Sequence, residues 1–573
     1  MHLFSLLFPI AVVLTSPEEG VRRIRDHFLI DDPMSALEEA EELIAKYPES
    51  RLVGTIHIEA LAAVQRIEEA LDAFDKLSLQ YPDLIYDRHL LEELSWGVLK
   101  KGLGSSQNGV RLAALIGIYL THDIRAVPIF QKMMRDSNAV IRSVAIQMSC
   151  TYGDAPLKDE IARMLEEEKV WMVRLEVIKA IGALKIKSLA PKLKTIIESM
   201  RSTYEERQLA IEAVLNIYEE ISLEQLQVLA KDSRAGMRHL ACSIAAFFQI
   251  DGAEEEILKL IQDPHPDVQI AALNAFGLGF REKISKEKSI QALQGLLLDS
   301  HPAVAITASW AAILVDPTFG TPSLKKWLSD PMPENRRLAA AALSSTGGRG
   351  MELVLETLRE SQDPYVKANL AIGVLGQRIE IKLCCDSIYD FLTTEKRMWM
   401  WDTRPNPLFQ ILAPSQVRYV DHIPNYPEAI DQITRLNLVS YLAIVEDERA
   451  LAALKSFLQK KTWGISGVAA ATLLQEGDES ALEIVRECLN DSDPNVQLQA
   501  CLVLAMFGRD ESVLSDLQKA YAGADHERKL HILEALGRIG TDQSYSFLIG
   551  CLREPFPILR VATAAALIQC LNR

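Results

Sequence analysis

The chain has 573 residues, 49% apolar and 24% charged, so it is too long for one hydrophobic core and too apolar for disorder. A net charge of −17 and a pI near 5.3 argue against a general nucleic-acid or anionic-membrane binder, either of which needs a basic field. Eight cysteines without a C-x-x-C pair exclude a disulfide scaffold and read as small core residues on helices.

At the amino terminus, residues 3–14 form an uncharged apolar stretch, too short to span a bilayer but suited to the core of a secretory leader. Ser16-Pro17-Glu18-Glu19 then joins an N-cap serine, a first-turn proline and an acidic residue three after the cap, which predicts a helix starting at Pro17. Residues 1–16 therefore read as a leader, and the mature chain as exported to a bacterial envelope or periplasm, with the cytoplasm as the alternative. No transmembrane span is expected.

Between residues 31 and 84 the chain repeats itself. Ala36-Leu37, Ala40, Leu43 and Tyr47-Pro48 recur as Ala70-Leu71, Phe74, Leu77 and Tyr81-Pro82, each 34 residues on. Helical spacing of the apolar positions and a proline at the helix end make this segment resemble the tetratricopeptide repeat, with 52–64 as the partner helix. Residues 17–104 are assigned to such units. Twelve acidic and four basic residues between Asp31 and Gln80 place much of the chain's acidity on their outer faces.

A second repeat runs to the C-terminus. Its mark is an apolar residue, then Arg or a polar replacement, then Ala three residues later, as in Ile141-Arg142 with Ala145 and Met237-Arg238 with Ala241. Anchors fall at 111, 142, 174, 207, 238, 269, 305, 336, 367, 435, 467, 497, 528 and 560. Six have an aspartate six residues earlier (Asp136, Asp232, Asp263, Asp299, Asp330 and Asp491), where it ends one helix and caps the next. Gly182 and Gly537 read as ends of second helices. Each unit is then helix, short turn, helix, with Ala allowing close approach and stacking burying the faces that one pair leaves open. The pattern resembles the HEAT repeat in the short, Ala-rich form of phycobilisome lyases, over about 105–573. The implied architecture is an all-α solenoid, a superhelix of stacked antiparallel helix pairs.

Enzymes of this class make demands that the residues do not meet. The di-iron hydroxylase of the family needs several His-Glu pairs, and the chain has one, His526-Glu527. A bilin lyase or isomerase shares the repeats, but repeat likeness carries fold rather than function. The glycosylase type needs a basic face, whereas Arg111, Arg142, Arg174, Arg207, Arg238 and Arg336 recur beside turns and read as a structural Asp–Arg ladder. No phosphate loop or catalytic motif occurs, so no catalytic, cofactor or metal residue is proposed.

One unit is interrupted. Anchors 367 and 435 lie 68 apart, and the excess falls at about 394–427, between helices predicted at 381–392 and 428–442. Two of the seven tryptophans and five of the 24 prolines sit there, which forbids a continuous helix and is too apolar for a solvated linker. The segment reads as a hairpin-like excursion that either packs back as a plug or presents Trp399, Trp401, Arg404, Phe409, Tyr419 and Tyr426 to a partner. The function expected is a non-enzymatic scaffold for a protein partner, with a lyase-type enzyme or a structural assembly component as alternatives.

Overall fold

The computed structural model describes residues 16–199, 201–218, 221–417, 426–445, 447–450, 453 and 485–572. Among them the architecture is the all-α solenoid of paired helices, with one two-stranded antiparallel ladder. That ladder corrects the expectation of no sheet. It lies in the proline-rich insert, where prolines bar a helix and two extended runs satisfy their backbone groups by pairing. The segment expected as a leader and the anchor at 467 fall outside the described residues. Two compact units form, one from residues 1–180 with 504–573, the other from 181–503. Short Ala-rich repeats contribute to both.

In the first unit the Pro17–Leu29 helix begins where the sequence places it, with the Ser16 hydroxyl accepting from the Glu19 amide at 3.2 Å. The 34-residue offset holds in space. Gly20 lies against Leu43 and Gly54 against Leu77, so tightly that a Cβ would come within 2.7 and 2.8 Å of a leucine methyl. These two glycines carry the repeat as much as the apolar residues do, although glycine alone gives a reader no side chain to match.

The last helix, Pro557–Leu571, packs on His526–Ile539 and also on Arg88–Leu103 and Asn108–Tyr119. It approaches the earlier pair at glycines. A Cβ on Gly102 would meet Val561 at 2.7 Å, and one on Gly117 would meet Ala565 at 3.1 Å. Arg560 reaches Glu68 at 2.6 Å, Arg553 bridges Asp72 and Asp75 at 3.0 and 2.6 Å, and Asn572 donates to the Thr121 carbonyl. Part of the amino-terminal acidity is thus consumed within the chain. Hydrogen bonds from Lys101 and, less strongly, Arg560 hold the Glu68 carboxyl down to about 2.

The anchor pattern has a uniform geometry. All six aspartates accept from the amide two residues on, at 2.7–2.9 Å, as the turn into the second helix requires. Arg111, Arg142, Arg174, Arg238 and Arg336 each donate to the carbonyl six residues back, at 2.9–3.1 Å. Where Gln replaces Arg, Gln497 keeps that bond to Asp491. The charged pairing runs forward. Arg111 binds Asp136, Arg142 binds Glu168, Arg238 binds Asp263 and Arg336 binds Asp363, all in the following repeat. The ladder is therefore structural, and at these four anchors it ties one unit to the next. Gly182 and Gly537 differ from expectation. Both sit inside their helices, where a Cβ would come 2.7 and 2.9 Å from the Cα of Ala213 and Ala566, so close packing and not termination selects glycine.

The ladder carboxylates set a pH dependence. Burial pushes Asp136, Glu168 and Asp263 up, but arginine and backbone hydrogen bonds outweigh it and leave each below the ordinary carboxylate range. Their stabilisation is fully present above the unfolded value near pH 4 and is lost as pH falls through the lowered folded values. Melting temperature should accordingly hold above about pH 5 and drop steeply in acid. Asp263→Ala, which strands the largely buried Arg238, should cost about 3 kcal/mol or more in denaturant titrations, while an apolar replacement of both partners should cost much less. Gly117→Val should destabilise by about 1–3 kcal/mol through collision with Leu99 and Ala565.

Candidate binding site around the inserted hairpin

The interrupted unit keeps its two helices, at Ile381–Thr394 and Tyr426–Ile444. Between them β1 (Trp399–Asp402) pairs antiparallel with β2 (Ile411–Pro414), Trp401 opposite Leu412, so the excursion is a hairpin. It lies across the second helices of successive repeats: Pro266–Ala275, Pro302–Val315, Pro333–Ser344 and Pro364–Leu375.

Its base is locked by aromatic and ionic contacts. Trp399 is fully buried, its ring 4.5 Å from Phe391 and covered by the Arg435 guanidinium at 3.7 Å. Asp431 accepts from the Trp399 amide at 2.7 Å and from Arg435 at 2.8 Å, so one carboxylate fixes both strand and cation. Trp401 is half-buried and donates its indole N–H to Asn437.

Further along, asparagine side chains hold extended backbone. Asn369 accepts from the Leu412 amide at 2.8 Å and donates to the Leu412 carbonyl at 3.0 Å. Asn406 in the loop is wholly buried with every polar site used. Its oxygen accepts from Asn274 and from the Leu408 amide, and its nitrogen donates to Asn274 and Thr307. Phe409 is buried edge-on against Trp310, centroids 5.4 Å apart.

Of the residues singled out in the sequence, Trp399 and Phe409 are thus covered by the chain's own helices and serve as packing. Arg404 remains largely exposed at the loop, paired bidentately with Asp402. Tyr419 lies outside the described residues, and Tyr426 opens the second helix.

The loop stops at an open groove of about 850 Å³ between the Ala235–Phe248 and Pro266–Ala275 helices. Pro405, Pro407 and Leu408 form one end. Phe247 and Leu278 line it while 81% and 60% exposed, large apolar side chains that folding leaves in water. Leu278 sits in a π-helical turn, Phe276–Phe280, that follows the second of these helices. Sequence reasoning missed both residues, because an aromatic at a helix end and a leucine between two glycines read as core. Burial lowers the proton affinity of His239 in the wall, which keeps its imidazole neutral at pH 7. His265 and Asp267 lie 3.8 Å apart at the rim.

The family model for HEAT repeats matches residues 223–313 and 482–568, and the described residues form an α-solenoid. No curated protein matches it. Among solved structures, Kap121p is similar at 11% identity over 97% of this chain and 77% of its own, with a TM-score of 0.34. The UNC-45 chaperone described as binding and folding muscle myosin is similar at 14% over 94% and 73%, TM-score 0.33. UNC-45 from Drosophila melanogaster follows at 12% over 96% and 82%, TM-score 0.30.

Packing of the hairpin makes a direct prediction. Trp399→Ala should lower the melting temperature, at a cost of about 3–5 kcal/mol, and Trp401→Ala should cost less. Asn369→Ala, which leaves both Leu412 backbone groups buried without that partner, should cost about 1–3 kcal/mol.

Proposed function

We propose that this HEAT-repeat solenoid is a non-enzymatic scaffold that binds another protein through the groove beside the hairpin loop. One observation carries the reading: Phe247 and Leu278 stand exposed in a recess that is also lined by a loop anchored through the buried, hydrogen-bonded side chain of Asn406. Exposed large apolar residues in a rigid recess suit a partner's side chains, since the recess is already ordered and binding costs little further entropy. No cofactor or metal enters the reading; among the described residues no cluster of His, Cys, Asp or Glu has the makings of a metal site. No described helix is long and apolar enough to cross a membrane.

The reading includes export, which rests on the uncharged 3–14 stretch alone. N-terminal sequencing of natively expressed protein should then begin after Leu14, and recovery of Met1 or His2 would place the scaffold in the cytoplasm.

The binding test uses full-length chain purified from its own cells. Phe247→Glu and Leu278→Glu should each cut recovery of the co-purifying protein at least tenfold while leaving the melting temperature in place, and added bilin should keep its free absorbance. Full recovery from both variants would remove the groove from the function.

A further inference from the structure

The arginines at the foot of the hairpin are matched with carboxylates one by one, and one is left over. Arg336 binds Asp363, Arg397 grips Glu395 through two bonds, and Arg435 binds Asp431. In each pair the guanidinium Nε is a donor to the carboxylate. Arg337, the next residue in the Pro333–Ser344 helix, has no such partner among the described residues. It is half-buried; its Nε is sealed with nothing to donate to, while its Nη groups are not sealed from water. Removing a guanidinium from water without an acceptor is costly, and a carboxylate is the ordinary remedy.

What steadies Arg337 instead is an aromatic ring. Its guanidinium carbon lies 4.7 Å from the centre of the Tyr365 ring, and that of Arg397 lies 5.4 Å from the same centre. Tyr365 is 1% exposed, packs edge-on against Phe391 at 4.9 Å, and its hydroxyl also lacks a hydrogen-bond partner. Burial and the Glu395 charge push that hydroxyl up to about 12 against the pull of Arg397, Arg337 and Arg435, so it is a neutral donor at pH 7. Two idle donors, one charged and one neutral, thus belong to side chains that touch. Charge says what would satisfy them. With Arg336, Arg397 and Arg435 already matched, one positive charge is spare. A phosphate dianion would stay half uncompensated, whereas a carboxylate brings one charge and two coplanar oxygens, which suit the planar guanidinium.

We propose that Arg337, held over Tyr365, is a receptor for a single carboxylate group, borne either by a small organic acid or by a partner protein, with the Tyr365 hydroxyl as a second donor. The site shares the hairpin with the groove but none of the groove's walls. It goes beyond the scaffold reading and does not rest on it.

Melting of the full-length chain in sodium acetate and in sodium chloride of equal ionic strength tests it. Acetate should raise the wild-type melting temperature saturably, by about 1–3 °C beyond chloride. Arg337→Met should abolish that difference, and Arg337→Lys should restore only part of it, because a point charge lacks the paired donors. Tyr365→Phe removes a hydroxyl that folding leaves unbonded, so it should diminish the difference without loss of stability. Recovery of the co-purifying protein from native cells separates the two sources. A loss of about fivefold or more in Arg337→Met assigns the carboxylate to the partner, and unchanged recovery assigns it to a small acid. Phe247→Glu should leave the acetate difference intact, so the groove reading can fail while this one stands. Equal melting of the wild-type chain in the two salts, an acetate difference that survives Arg337→Met, or greater stabilisation by phosphate than by acetate would each overturn the proposal.

Discussion

A helix pair cannot bury its own apolar faces, and in this chain that constraint is met at both ends of the array by the same helix. Arg88–Leu103 and Asn108–Tyr119 present a face with Gly102 and Gly117 at its centre, and Pro557–Leu571 covers it. A repeat array normally needs polar caps where stacking stops. Here the first short repeats receive a neighbour from the far end of the sequence, and the arginines of that neighbour discharge against the acidic helices before it.

At four of its anchors the array makes the connection twice over. A second helix begins on an aspartate turn, its arginine ties back to the carbonyl that precedes that turn, and the same guanidinium reaches forward to the next repeat's carboxylate. Turn and stacking thus share residues, so a repeat cannot shift against its neighbour without breaking its own helix start. Such a frame is suited to carrying an insert that is itself held by hydrogen bonds of fixed direction. The hairpin exploits it, since Asn274, Thr307, Asn369 and Asn437 project from four different helices and must all keep their places.

The legible part of this structure is its period. Helix positions, turn aspartates, the buried Ala that recurs in many units and the site of the interruption all follow from spacing, because spacing is what stacking enforces. Pairings across repeats were less accessible. The arginine ladder was visible as a pattern, but nothing local says whether Arg238 pairs with Asp232 or Asp263. Composition showed that 394–427 leaves the helical period, and its aromatic content left plug and anchor both open. Trp399 and Phe409 became packing only through Phe391, Arg435 and Trp310, which spacing alone does not bring beside them. The groove was illegible for the converse reason: exposure of Phe247 and Leu278 is set by where neighbouring helices stop, not by their own residue types.

The docking of the last helix also orders events during synthesis. Arg560 lies 492 residues beyond Glu68, and Asn572 lies 451 beyond Thr121. A ribosome adding about 5–20 residues per second needs roughly 25–100 s to cover such a distance. Neighbouring repeats meanwhile close against one another almost as soon as they emerge, because their contacts span only a few tens of residues. The apolar face of Arg88–Leu103 therefore waits uncovered through most of translation, although the helices around it have already formed. A nascent chain with one sticky surface and an otherwise finished fold is a natural client for a holding chaperone, and its release is timed by the arrival of the final fifteen-residue helix.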